Sequence, residues 1–145
     1  MSGKPRLTVV TLGVRDFRAS LKFYEALGFE RKMRATGDEV AFLDAGGVVL
    51  ALWHWNSLAE DEALPAEPVS SYRATSLAWN CKTPAEVDDA FARAVAAGGK
   101  VLRQPEKTDY GGYRGYFADP DGHAWEIVTA PGFGFTDDGR LILSD

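Results

Sequence analysis

Residues 42–52, FLDAGGVVLAL, lie over residues 117–127, FADPDGHAWEI, without a gap: Phe42 on Phe117, Asp44 on Asp119, Gly47 on Gly122 and Leu52 on Ile127. Such an internal repeat restricts the chain to two like units packed together. In each copy an Asp and a Gly three positions on mark a tight turn, and the second copy adds Pro120 directly after the Asp, where a type I turn prefers it. Strand-forming residues flank both turns, so each copy reads as a β-hairpin.

The order of elements upstream repeats as well. RLTVVTLGV (6–14) is β-branched and apolar, a strand. DFRASLKFYEALGF then opens on a helix N-cap at Asp16 and stops near Gly28, with Phe17, Leu21, Tyr24 and Leu27 on one helical stripe. In the second half ATSLAWNC (74–81) is the strand. Thr83 caps a helix that starts with Pro84, carries Val87, Phe91, Ala94 and Val95 on one face, and ends at Gly98-Gly99. FERKMRAT (29–36) and KVLRQPE (100–106) supply one more strand each. The class is therefore α+β, with two tandem strand-helix-strand-strand-strand modules in one domain (1–145). Module one is expected over 6–55 and module two over 72–130. Between them NSLAEDEALPAEPVSS (56–71) is acidic and without periodicity, an exposed connector. The tail, 131–145, ends in an apolar Leu-Ile-Leu strand candidate that either closes over a cavity or docks on another subunit.

Strand alternation sorts the side chains into two faces. Val10, Leu12, Val14, Val48, Leu50, Leu52, Leu77, Trp79, Cys81, Trp125 and Ile127 share the parity that should pack against the helices. The opposite parity collects Val9, Thr11, Gly13, Val49, Ala51, Trp53, Trp55, Ser76, Ala78, Asn80, Ala124, Glu126 and Val128. A helix-packed core has no use for Ser76, Asn80 and Glu126 together, whereas a cavity wall does. Tyr110 and Tyr113, in the Gly-rich loop TDYGGYRGY, are expected beside them. The expected ligand-binding residues are thus Thr11, Trp53, Trp55, Ser76, Asn80, Tyr110, Tyr113 and Glu126.

Bulk properties narrow the partners. With 145 residues, 46% hydrophobic, two modules can share a sizeable core. A net charge of −5 without any basic run argues against nucleic acid and anionic membrane surfaces. No apolar stretch reaches the roughly 20 residues of a membrane span, and MSGKPRLTVV lacks the apolar segment of a secretory signal. One cysteine, Cys81, excludes an internal disulfide and fits a reducing, cytoplasmic setting. On the helix side it reads as a small hydrophobe rather than a nucleophile.

VTLGVRDFRASLKFYEALGFE (10–30) and GGYRGYFADPDGHAWEIV (111–128) resemble the opening strand and helix and the closing hairpin of the vicinal oxygen chelate superfamily. That superfamily includes glyoxalase I, bleomycin-resistance proteins, fosfomycin-resistance enzymes and extradiol dioxygenases. The resemblance implies two βαβββ modules forming a curved mixed sheet around a shared cavity, and a homodimer. Metal-dependent members hold a divalent cation from four positions, which match Val9, Ala51, Ser76 and Glu126 here. Only Glu126 is a good ligand, Ser76 is a weak one, and Val9 and Ala51 have no donor; a catalytic zinc site uses about three protein ligands. His54 and His123 both have the parity opposite to Ala51 and Glu126. No metal or other cofactor is therefore expected.

Three functions remain. The first is a metal-free protein, similar to the bleomycin-resistance type, that holds a small aromatic or cationic molecule between aromatic walls and Glu126. The second is an enzyme without a metal, using Glu126 as general acid or base while Ser76 and Asn80 orient the substrate. The metal-dependent lactoylglutathione lyase or dioxygenase ranks behind both.

Overall fold

The computed structural model describes residues 4–145. Strand β1 (Val9–Val14) runs into helix α1 (Phe17–Leu27). The Ala19 N–H donates to Asp16 Oδ1 at 3.0 Å to cap the helix, and Gly28, at φ 108°, ends it. Strands β2 (Glu30–Lys32), β3 (Val40–Asp44) and β4 (Val49–His54) complete the first module, followed by helix α2 (Trp55–Glu62). The second module comprises β5 (Leu77–Asn80), α3 (Pro84–Ala96), β6 (Lys100–Lys107), β7 (Tyr113–Ala118) and β8 (Ala124–Thr129). Thr83 caps α3 by accepting from the Glu86 N–H at 3.2 Å. A short hairpin, β9 (Gly134–Phe135) and β10 (Leu141–Ile142), closes the chain.

The strands form two four-stranded mixed sheets, ordered β1-β4-β3-β2 and β5-β8-β7-β6, one from each module. In each, the first strand of the module lies parallel to the last: Thr11 beside Ala51 in one, Ala78 beside Glu126 in the other. The repeat thus appears in three dimensions as βαβββ twice.

One hydrophobic core serves both modules. Leu12, Val14, Leu50 and Leu52 enter it from the first sheet, Phe117, Trp125 and Ile127 from the second, with Phe23, Tyr24, Leu27, Val87 and Phe91 from the helices. Helix α1 lies between the sheets. It packs on β4, while Phe23 reaches Phe117 (centroids 6.1 Å apart) and Tyr24 reaches Trp125 (5.8 Å). Burial of each large side chain stabilises by about 1.5–3 kcal/mol. The expected helix-side parity is the observed one, and the other face of each sheet turns away from this core.

The Asp119–Gly122 turn joins the modules. Asp119, 4% exposed, accepts from Tyr24 Oη at 2.5 Å and from the backbone N–H groups of Asp121 and His123 at 2.9 and 2.8 Å. Asp121, 6% exposed, accepts from the Arg15 N–H at 2.8 Å and the Ser20 hydroxyl at 2.9 Å. Three of these five donors, those of Arg15, Ser20 and Tyr24, reach the turn only because it is docked, so the turn's polar groups fasten module two onto the start of α1.

Three local expectations are corrected. Residues 55–62 form α2 rather than an irregular connector: Leu58, Ala59, Glu60 and Glu62 favour helix although they form no stripe. The helix sits on the outward side of β1, where a Cβ at Gly13 would lie 3.4 Å from Leu58 Cδ2. The segment 29–36 is a strand only to Lys32 and then turns through a 3-10 helix, Arg34–Thr36. Strand β5 starts at Leu77, so Ser76 precedes it.

Candidate functional site

On the outward face of the second sheet, Glu126 stands between Ala78 of β5 and Tyr116 of β7, each directly opposite it in register. Its side chain is half-buried, and among the described residues it forms no ion pair with Lys, Arg or His. The Tyr116 phenol is pushed above its ordinary value, first by burial and then by the Glu126 charge, with Arg114 opposing. Arg114 shares this face, two register pairs along, opposite Val128. Its side chain is 19% exposed, and its Nη1 lies 3.4 Å from Glu106 Oε1. Trp125, adjacent in sequence to Glu126, points into the core and takes no part.

The expected site residues divide. Glu126 and half-buried Asn80, opposite Val128, share the second sheet's outward face, with exposed Ser76 just before β5. Thr11 and Trp53 occupy the corresponding face of the first sheet, Thr11 exposed beside Ala51 and Trp53 half-buried beside Gly13. Tyr110 is 55% exposed in the turn before β7.

Tyr113 and Trp55 belong elsewhere. The Tyr113 hydroxyl donates to Asp88 Oδ1 on α3 at 2.7 Å, because alternation from Phe117 puts residues 113, 115 and 117 on the helix side. Tyr116 takes the place expected of Tyr113. The signal was available: counted back from buried Phe117, residue 116 has the parity of a hairpin partner for Glu126.

Trp55 begins α2 and lies at the module junction. The Arg15 guanidinium sits 3.7 Å from its ring centroid, that of Arg73 5.2 Å, and His123 stacks at 6.1 Å. His123 Nε2 donates to the Gly13 carbonyl at 2.8 Å while Nδ1 accepts from Arg73 at 2.9 Å, so both ring nitrogens are engaged. His54 Nε2 donates to the Asp38 carbonyl at 2.7 Å, and its ring stacks on Phe17. Trp55→Ala is therefore expected to lower stability by about 1–3 kcal/mol in urea unfolding.

A metal ion at the four superfamily positions does not fit these donors. Val9 and Ala51 offer none and Ser76 an exposed hydroxyl. Among the described residues no three His, Cys, Asp or Glu side chains group closely enough to hold a metal ion. Nor is any described helix long and apolar enough to cross a membrane.

Known proteins resemble the chain over most of its length. The model of the Glyoxalase/Bleomycin resistance protein/Dioxygenase superfamily matches residues 6–127. The crystal structure of a glyoxalase-related enzyme from Fulvimarina pelagi superposes with a TM-score of 0.84 at 38% identity, covering 97% of this chain and 99% of that one. A protein of Mycolicibacterium smegmatis is 33% identical over 97 residues, 67% of this chain and 71% of that protein. The metallothiol transferase FosB of Lysinibacillus sphaericus is 27% identical over 116 residues, 80% of this chain and 76% of that protein.

Proposed function

Because the chain belongs to the glyoxalase/bleomycin resistance protein/dioxygenase superfamily, we propose that it binds a small aromatic or cationic molecule against Glu126 without a metal ion. The observation that carries this reading is a half-buried carboxylate with no ion-pair partner among the described residues, facing outward beside a tyrosine phenol. Such a group pairs with a ligand amine, and the Tyr116 ring offers a stacking surface. On the first sheet Phe42 and Trp53 are half-buried and Val9 is 43% exposed, which leaves an apolar face for a partner to cover. A second copy covering these faces would enclose the ligand, so the protein acts as a homodimer. Its one thiol, buried and unpaired, suits the cytoplasm.

The alternative is a metal-free enzyme in which Glu126 moves a proton. It is favoured by the placement of Tyr116 across from Glu126, where a phenol could share the proton's path. The test is calorimetric titration with a planar aromatic amine and its neutral isostere, in the presence of EDTA. The amine is expected to bind at least tenfold more tightly, with EDTA without effect. Binding that appears only when a divalent metal is added would contradict the proposal.

A further inference from the structure

The repeat is symmetric in its elements but not in the contacts between its halves. Structural equivalence places Lys82 where Arg15 stands, Gly46 where Asp121 stands, and Val87 and Phe91 where Ser20 and Tyr24 stand. The first helix, α1, offers two hydroxyls to the Asp119–Gly122 turn, and Arg15, just ahead of the helix, a backbone N–H. The second offers none of these: Val87 and Phe91 have no donor, Gly46 has no carboxylate, and the Lys82 N–H turns to Glu86 Oε2 of its own helix at 2.7 Å. The turn at residues 44–47 therefore has nothing with which to fasten the β5–α3 junction.

The C-terminal hairpin stands in that place. The Phe135 ring lies 5.8 Å from Lys82 Nζ. Arg140 packs over Gly47, where a Cβ would sit 2.9 Å from Nε, and the φ of +110° at this position favours glycine. Phe135 and Gly139 join Trp79, Cys81 and Ala90 in lining a cavity of about 430 Å³. Yet the hairpin's polar bonds are its own. The Thr136 N–H donates to the Arg140 carbonyl at 2.8 Å, the Arg140 N–H donates to Thr136 Oγ1 at 2.9 Å, and Arg140 pairs with Asp138 at 3.4 Å. Among the described residues none of its hydrogen bonds reaches the two modules. Leu141 and Ile142 remain 42% and 47% exposed, so lifting the hairpin uncovers little apolar surface beyond Phe135.

We propose that residues 133–142 form a strap that opens and closes as a unit over Cys81 and this cavity while both modules stay folded. A segment held by a few side-chain contacts, with its hydrogen bonds kept internal, opens at far lower free energy than the core it rests on.

The test is alkylation of Cys81, the chain's one thiol, by iodoacetamide under native conditions, with urea unfolding of the same samples. Burial first and the Glu86 charge second push this thiol up to about 11, so the reactive thiolate arises chiefly in the open state. Phe135→Ala is expected to speed alkylation at least tenfold with little change in the unfolding midpoint. Hydrogen exchange of the unmodified chain should show the amides of 133–142 exchanging well ahead of those of α3. Unchanged alkylation, or a rise no larger than the lost global stability accounts for, overturns the strap. So does protection of 133–142 equal to that of α3.

Discussion

Asp119→Ala is expected to lower the unfolding free energy by about 3–5 kcal/mol, because it strands three donors, the Tyr24 hydroxyl and the N–H groups of Asp121 and His123, each costing about 1–3 kcal/mol when unmade in the interior. In a chain of this size that corresponds to a fall in melting temperature of roughly 10–15 °C. Asp44→Ala, at the equivalent but exposed position of the first turn, removes only a local bond to the Gly46 N–H and should cost under about 1 kcal/mol. Equal losses at the two positions would refute the assignment of the second turn as the joint between modules.

Acidity gives a second handle on the same carboxylate. Burial pushes the Asp119 carboxyl above its ordinary value near 3.8, while His123 and the hydrogen bonds from Tyr24 and the turn act against that. Between 3.8 and the raised value the folded chain binds more protons at this group than the unfolded chain does. Its contribution to stability therefore grows as pH falls through the raised value and shrinks as pH rises through it, the reverse of a salt-bridged carboxylate. Urea unfolding of the parent and of Asp119→Asn across that window isolates the effect: the parent should gain on the variant as pH falls. Movement in the other direction would mean that the hydrogen bonds outweigh burial.

The doubled βαβββ order, both helix caps and the helix-facing parity could be read from residues alone, since each rests on local chemistry: Asp16 and Thr83 as caps, Gly28 as terminator, alternation along β1, β4, β5 and β8. What escaped depends on contacts distant in sequence. Helix α2 has no stripe to announce it and is held by Leu58 and Trp55 against Gly13. Trp55, at strand parity with Trp53, leaves the strand after His54 and meets Arg15, Arg73 and His123 from three other segments. The DPDG motif reads locally as a turn, and nothing local says that its two carboxylates will be buried against a helix some hundred residues away. Tyr116 is obscure for a different reason: the Gly-rich loop at 108–112 carries the conspicuous turn chemistry, while the strand that follows it carries the side chain opposite Glu126.

Glu126→Gln carries the other large effect. The substitution keeps the shape and hydrogen-bonding reach of a half-buried side chain and removes only its charge. A charged hydrogen bond is worth about 1.5–3 kcal/mol, so affinity for a cationic aromatic ligand should fall roughly 10- to 100-fold while a neutral isostere is little affected. Stability should stay within about 0.5 kcal/mol, since the amide oxygen can still accept from the Tyr116 hydroxyl and no ion pair within the described residues is broken. If the protein instead turns over a substrate with Glu126 as acid or base, the rate falls about 10²- to 10⁴-fold and binding survives. Loss of affinity with no turnover in either form favours the binding reading; loss of turnover with affinity kept favours the enzyme.

The central claim is that the Glu126 face works without a metal and is enclosed by a second copy of the chain. Native mass spectrometry of untagged protein, purified without added metal or chelator, addresses both halves in one spectrum. The expected mass is twice that of the bare chain. One divalent metal per chain, held through buffer exchange, would contradict the claim and require donors other than Val9 and Ala51 to be found; a bare monomer at micromolar concentration would leave the ligand face open and contradict its second half.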